Sequence, residues 1–233
     1  MAVHVLVPAA GIGRRMGAAG NKQYLELGDR PILAHTLARL AALECVDALH
    51  VIVPEAERGY CREDVVARFG LTGITSIVAG GAERQDSVRN GLEACGAADD
   101  DLVLIHDGVR PFFPAAQIPV LLTAAAAQGA ALLAIPAQDT VKEAVDGQVV
   151  RTLDRRRLWQ AQTPQAFRYA VIRAAHRRAL EAGFAGTDDA SLVEWCGGPV
   201  AVVAGSPFNF KLTTPADLAL ARALLSAGIL EDF

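Results

Sequence analysis

Short apolar runs alternate with helix-period segments along most of this chain, and nearly every run stops at a proline, a glycine or a polar loop. Val3–Val7, Leu49–Val53, Ile74–Val78, Leu102–Ile105 and Ala130–Ile135 read as buried strands. Between them, Ile32–Leu43 (opened by Pro31), Glu57–Phe69 and Ser87–Ala94 read as helices. Strands that alternate with helices build a mostly parallel sheet covered on both faces, an α/β architecture. Such sheets bind ligands beyond the carboxyl ends of their strands. The candidate loops therefore follow Val7, Val78 and Ile105. Tyr169–Ala182 and Pro215–Ser226 read as later helices, and Ala124–Ala127 as helix-forming sequence.

One stretch breaks the rhythm. Val141–Val145 alternates apolar and polar residues, Asp146-Gly147 is a hairpin signal, and Gln148–Leu153 reads as the return strand. A lone hairpin is marginal in water, so it packs on its own domain or on another subunit. The chain of 233 residues shows no repeat or linker, which predicts one domain over 1–233 with an inserted arm at about 137–158.

Composition excludes several classes. With 52% hydrophobic and 21% charged residues the chain is globular. A net charge of -4 argues against a broad nucleic-acid or membrane surface, so an anionic ligand must meet a local basic cluster. Cys45, Cys61, Cys95 and Cys196 are scattered, without metal-site spacing, and read as reduced thiols of a cytoplasmic protein. The N-terminus lacks a basic n-region and runs straight into a first strand, so no leader is expected, and no apolar run reaches membrane-spanning length.

The first loop reads Pro8-Ala9-Ala10-Gly11-Ile12-Gly13-Arg14-Arg15-Met16-Gly17. Met16 stands where a dinucleotide fingerprint needs its third glycine, and the Gly-Lys-Ser/Thr of a Walker loop is missing. What remains is a small-residue strand exit whose N–H groups can face phosphate oxygens, with two arginines and, soon after, Lys22. Alone, these cations read equally well as surface charges. The second loop, Gly80-Gly81-Ala82-Glu83-Arg84-Gln85-Asp86-Ser87, lets backbone approach a base or ribose, although Ser87 also suits a helix's first turn. The third, His106-Asp107-Gly108-Val109-Arg110-Pro111, offers Asp107 as a magnesium ligand or, alternatively, as a turn cap paired with Arg110.

Together the stretches PAAGIGRRMG, NKQYLEL, GGAERQDSV, HDGVRPF, DTVKEA, LDRRRLWQAQTPQAF, TDDASLVE and NFKLTTPADL, in order from Pro8 to Leu218, resemble the methylerythritol phosphate cytidylyltransferase family of the non-mevalonate isoprenoid pathway. That resemblance implies a Rossmann-like nucleotidyltransferase fold with a protruding β-arm that interlocks two subunits of a homodimer. It implies transfer of the cytidylyl group of CTP to 2-C-methyl-D-erythritol 4-phosphate, with pyrophosphate released and Mg2+ as cofactor. By resemblance, Ala9, Ala10, Gly11, Gly13, Gly80, Gly81, Arg84 and Ser87 form the CTP site, and Arg15 and Lys22 hold its phosphates. Asp107 sits at the metal; Arg110, Thr140 and Lys211 surround the acceptor phosphate; Arg155 reaches it from the partner's arm; Thr187 and Asp188 lie near the polyol. The family often carries Ala-Ala or Ala-Val where this chain has Gly108-Val109, which bears on substrate contacts there.

A phosphate monoester acceptor is already anionic, so no general base or protein nucleophile is required, and His106 reads as structural or as a neighbour of the metal. Rival readings are a ribitol 5-phosphate cytidylyltransferase, a sugar-1-phosphate nucleotidyltransferase and a catalytically inactive nucleotide-binding module. Asp139-Thr140-Val141-Lys142 and Leu153-Asp154-Arg155 favour methylerythritol phosphate over ribitol phosphate. The presence of Arg15, Lys22, Asp107, Arg155 and Lys211 argues against an inactive module. The chain stops soon after the last of these stretches, so no fused second enzyme is expected.

Overall fold

The structure, a computed structural model, describes residues 1–11 and 21–229. The first strand, β1 (Val3–Pro8), leads through a small hairpin, β2 (Glu26–Leu27) and β3 (Arg30–Pro31), to helix α1 (Ile32–Ala41) and strand β4 (Ala48–Val53). A distorted helical segment follows: a 3-10 turn, one α-turn α2 (Arg58–Tyr60), and a π-helical stretch Cys61–Ala67. Next come β5 (Ile74–Ala79), α3 (Arg84–Ala94), β6 (Leu102–Ile105), α4 (Ile118–Gln128) and β7 (Ala130–Pro136). The arm contributes β8 (Lys142–Val145) and β9 (Gln148–Thr152). The chain then runs through β10 (Trp159–Arg168), α5 (Tyr169–Ala182), α6 (Asp189–Trp195), β11 (Ala201–Ala204) and α7 (Pro215–Ser226).

Seven strands form the main sheet in the order β11-β7-β10-β6-β1-β4-β5. Neighbours are parallel except at β10, which runs antiparallel to both β7 and β6. Successive side chains of a strand face opposite sides of the sheet, and both sides are buried here. Val5 and Val7 of β1 pack with Leu33, Leu37 and Leu40 of α1 on one face. Leu6 packs with Val88 and Leu92 of α3 and Ile172 of α5 on the other. The i, i+4, i+7 spacing of the three α1 leucines gives that helix its core-facing stripe. A third cluster, with Leu27, Ile32, Phe112, Leu212 and Leu224, seats α7 beside the β2–β3 turn.

The order places a switch point at β1. The chain leaves β1 through α1 to reach β4 on one side, and returns from β5 through α3 to β6 on the other. The chain therefore leaves β1 and β6 toward opposite sides, and sheets with this order bind ligands in the crevice at that point.

Several boundaries differ from the sequence reading. The first helix ends at Ala41, not Leu43. The segment expected as a helix over Glu57–Phe69 is part 3-10 and part π. Helix α3 starts at Arg84 rather than Ser87, because the Asp86 carboxylate accepts the Glu83 backbone N–H at 3.2 Å and closes the first turn early. The arm is a separate two-stranded sheet, turning at Asp146 (φ 49°) and Gly147 (φ 79°). Positive φ at both central residues is the hairpin turn that Asp-Gly favours.

Candidate active site

Strand β6 is wholly apolar and buried, so it carries the polar residues after it into the sheet's upper edge. His106 N–H still bonds the Leu6 carbonyl at 2.9 Å, continuing the β6–β1 ladder by one residue. The next N–H, from Asp107, turns aside to Thr163 Oγ1 at 3.0 Å. The chain then folds into a turn closed by the Arg110 N–H on the Asp107 carbonyl, 3.1 Å. Thr36 of α1 fastens it from below through the Gly108 carbonyl, 3.1 Å.

Asp107, 5% exposed, holds three cations. Oδ1 lies 3.2 Å from Arg84 Nε, while Oδ2 lies 3.1 Å from Arg110 Nε and 3.0 Å from Lys211 Nζ. Burial pushes its carboxyl pKa up, but Arg84, Lys211 and Arg110 push it down further, leaving it well below the usual carboxylate range. Lys211 is delivered by a segment that runs beside the third loop. The Leu212 N–H bonds the Val109 carbonyl at 3.0 Å, and Arg110 Nη1 bonds the Asn209 carbonyl at 2.7 Å. Arg110 is the more enclosed of these two cations, with 13% of its side chain exposed against 34% for Lys211. Lys211 is thus the cation best placed to meet an incoming anion.

His106 is fully buried and structural. Thr163 Oγ1 already accepts from the Asp107 N–H, so its own hydrogen is available to His106 Nδ1 at 3.1 Å. His106 Nε2–H then donates to the Arg110 carbonyl at 2.9 Å. Burial lowers its pKa to about 4, in keeping with a neutral ring that accepts on one side and donates on the other.

The loops after β1 and β5 lie side by side. Ala9 N–H bonds the Ile52 carbonyl at 2.7 Å and Gly80 N–H bonds the Val53 carbonyl at 2.7 Å. A Cβ on Gly80 would stand 2.8 Å from the Ala10 Cβ and 3.0 Å from Ser87 Oγ, and one on Gly81 would clash with the Asp86 Cβ. Backbone packing, not conformational freedom, demands glycine here. Ser87 is buried; its Oγ accepts the Gly81 N–H and donates to the Glu83 carbonyl, both at 3.0 Å. It thereby fixes the loop to α3. Gly11, within the first loop, is exposed.

The structure thus brings Asp107, Arg110, Lys211 and Arg84 into one cluster and Ala9, Ala10, Gly80, Gly81 and Ser87 into a neighbouring cradle. Gly13, Arg14 and Arg15 lie outside the described residues. Lys22 is half-buried in a 3-10 turn, Lys22–Tyr24, after the first loop. Thr140 and Arg155 lie in the arm on either side of its hairpin and are exposed, with Arg155 bonded to the Gln138 carbonyl of its own chain.

Three expectations change in their physical content. Asp188 has both carboxylate oxygens engaged, Oδ1 by the Ser191 N–H at 2.9 Å and Oδ2 by Gln165 Nε2 at 2.7 Å, so it caps α6. The next residue, Asp189, faces the cluster instead, with Oδ2 2.8 Å from Arg84 Nη1. A D-x-x-S cap pattern at Asp188–Ser191 was the available sequence signal. Arg84, expected at the nucleotide, has its Nε on Asp107 and its Nη1 on Asp189. Asp107 itself does not fit a metal ligand as arranged. Its oxygens are taken by three cations, which repel a dication, and among the described residues no group of three or more His, Cys, Asp or Glu is arranged to hold a metal.

A cation cluster beside a small-residue cradle, at the switch point of a parallel sheet, has the chemistry to receive a nucleotide and a second anion. Comparison with known proteins identifies which. The sequence profile of the 2-C-methyl-D-erythritol 4-phosphate cytidylyltransferases matches residues 3–227. The chain belongs to this family. The cytidylyltransferase of Syntrophotalea carbinolica is 56% identical over 225 residues, covering 97% of each chain. That of Geotalea uraniireducens is 56% identical over 228 residues, covering 97% of this chain and 98% of its own. Among solved structures, the family member from Thermus thermophilus superposes with a TM-score of 0.78 at 37% identity, over 97% of this chain and all of its own (100%). The 4-diphosphocytidyl-2C-methyl-D-erythritol synthase of Anaerococcus prevotii gives 0.84 at 30% identity, over 97% and 96%. The Rossmann-like nucleotidyltransferase fold expected from the sequence is therefore the fold observed.

Proposed function

We propose that this chain is a single catalytic unit that transfers the cytidylyl group of CTP to 2-C-methyl-D-erythritol 4-phosphate. The products are 4-diphosphocytidyl-2-C-methyl-D-erythritol and pyrophosphate, and the reaction serves isoprenoid precursor synthesis in the cytoplasm. The observation that carries the reading is the convergence of Lys211, Arg110 and Arg84 on Asp107 beside the glycine cradle, in a chain of this family. No described helix is long and apolar enough to cross a membrane.

The reaction joins two anions, so its barrier is repulsion and misalignment rather than weak nucleophilicity. Catalysis then consists of positioning and electrostatic stabilisation. The cradle of Ala9, Ala10, Gly11, Gly80 and Gly81 takes the nucleotide by backbone groups, with Ser87 holding the loop. Arg15 and Lys22 take the triphosphate, and Gly13 belongs to the same nucleotide site. Lys211 and Arg110 hold the acceptor phosphate, with Asp107 keeping both aimed. Thr187 stands at the polyol end. A divalent cation, Mg2+, would enter with the nucleotide rather than on Asp107 and would supply Lewis-acid neutralisation.

Arg155 completes the acceptor site from a second subunit. The arm supports this: Val145, Val149 and Val150 are 57%, 62% and 59% exposed, on a hairpin that pairs with no other strand among the described residues. Exposed valines on a two-stranded sheet call for a partner surface. Thr140 flanks the same hairpin and travels with it. A parallel assay with CTP and either methylerythritol phosphate or ribitol 5-phosphate tests the reading, which requires preference for the former.

A further inference from the structure

Behind the cation cluster lies a carboxylate to which the proposed reaction assigns no role. Asp189 opens α6 and is 1% exposed. Its Oδ2 lies 2.8 Å from Arg84 Nη1, and its Oδ1 lies 3.2 Å from Nε2 of His176, a buried residue of α5. Arg84 Nε in turn lies 3.2 Å from Asp107 Oδ1. Charges therefore alternate from the helical layer to the crevice: Asp189, Arg84, Asp107, then Lys211 and Arg110.

The surroundings of Asp189 are built to be rigid. Gln165 of β10 accepts the Ala190 N–H at 3.0 Å and donates to the Asp188 carboxylate at 2.7 Å. Gln85 of α3 donates to the Phe184 carbonyl and accepts the Gly186 N–H, both at 3.0 Å. The loop before α6 is thus tied to the sheet and to the helix that carries Arg84. A buried ion pair is a poor way to gain stability alone, since apolar residues of similar volume often do as well. Its better-attested use is to fix geometry.

The geometry matters because the crevice must hold two phosphorylated substrates. Arg84 has 31% of its side chain exposed, and guanidinium groups fork readily onto phosphate. Without a second anchor it would leave Asp107 for the triphosphate. Asp107 would then draw Lys211 more tightly to itself and away from the acceptor.

We propose that Asp189 is a positioning residue for the acceptor half of the site: by anchoring Arg84 it keeps Asp107 neutralised, so that Lys211 is released to the acceptor phosphate. This inference rests on the proposed reaction. The test is steady-state kinetics of the full chain carrying Asp189→Asn, with folding checked by thermal melting. The acceptor kcat/KM should fall roughly tenfold or more, the size of a direct coupling between neighbours, while the KM for CTP stays within about threefold. In a Lys211→Ala background the same substitution should cost less than about threefold, because its route of action is gone. Asp189→Glu, which restores the charge, should recover most of the acceptor loss. Should Asp189→Asn fail to fold, Arg84→Lys carries the same test, since one ammonium cannot bridge two carboxylates. A parallel rise in the KM for CTP, losses that simply multiply with Lys211→Ala, or a folded Asp189→Glu enzyme as impaired as Asp189→Asn would overturn the proposal. A wild-type chain without cytidylyltransferase activity would remove the reaction, and this inference with it; an active wild type with any of those three results removes the inference alone.

Discussion

Lys211 Nζ lies 3.0 Å from Asp107 Oδ2, on a side chain one-third exposed against a carboxylate almost wholly buried. The lysine therefore has an open side toward the crevice while its charge is held in place from behind. Lys211→Ala should lower turnover by roughly 10²-fold, the usual loss for one donor aimed at developing charge. Lys22→Ala should cost a similar factor. Both variants should melt within a few degrees of wild type, because neither side chain belongs to the core. Rates within threefold of wild type for either would remove that residue from the mechanism.

The arm links two measurements. Val149→Asp together with Val150→Asp places charge on side chains that are already exposed in the single chain, so the protomer should fold normally. Sedimentation should show wild type as a dimer and the double variant as a monomer. Its turnover should fall as far as that of Arg155→Ala, and Arg155→Ala should weaken acceptor use far more than CTP binding. A monomeric wild type, or an active monomer, contradicts delivery of Arg155 from a neighbour.

Gly80→Ala adds a methyl 2.8 Å from the Ala10 Cβ and 3.0 Å from Ser87 Oγ. Those neighbours are a loop and a hydrogen-bonded hydroxyl, so the two halves of the cradle must separate. The KM for CTP should rise about tenfold, with about 1–3 kcal/mol of stability lost to overpacking. Nucleotide titration by calorimetry checks this, and unchanged CTP affinity would place the base elsewhere.

Stability should fall with acidification between about pH 6.5 and 4. Burial lowers the pKa of both His50 and His106 to about 4; at His50 the neighbouring His4 adds to the effect. In that window the unfolded chain binds protons that the folded chain refuses, so stabilisation present above pH 6.5 is lost as pH drops. Each residue contributes on the order of 3 kcal/mol across the window. The lowered carboxyl pKa values of Asp107, Asp189 and Asp217 act with the same sign, but only below the ordinary carboxylate range near pH 4. Urea unfolding at pH 7.5, 6 and 5 should show the decline, and His50→Gln should flatten it. A pH-independent midpoint would mean that both rings are free to ionise in the fold.

The parallel strands were legible because burial on both faces forces continuous apolar runs, as in Leu102–Ile105. The arm was legible from Asp146-Gly147, whose conformation few other pairs adopt cheaply. Strand β10 was not. It reads Trp-Gln-Ala-Gln-Thr-Pro-Gln-Ala-Phe-Arg, with a proline that cannot donate to a ladder, yet it runs through the middle of the sheet. The register slips between Gln162 and Gln165, which takes Pro164 out of the ladder. Its polar side chains serve the site instead: Thr163 holds Asp107 and His106, and Gln165 holds the loop that presents Asp189. Asp189 itself was hidden because an aspartate at a helix's first position and one at its cap look alike until the turn is built. Asp107 and its loop neighbour Arg110 were found together, but Arg84 and Lys211 come from distant stretches, and only the folded chain shows that the three cations leave a carboxylate suited to aiming cations rather than holding a metal.

The central claim is that this crevice joins CTP to a polyol phosphate. Incubating the purified chain with CTP, 2-C-methyl-D-erythritol 4-phosphate and Mg2+, and weighing the products by mass spectrometry, tests it most directly. The account predicts 4-diphosphocytidyl-2-C-methyl-D-erythritol and pyrophosphate in equal amounts, with the yield abolished in the Lys22→Ala, Lys211→Ala double variant. Pyrophosphate without the cytidylyl conjugate, or a conjugate formed equally well by the double variant, would contradict it.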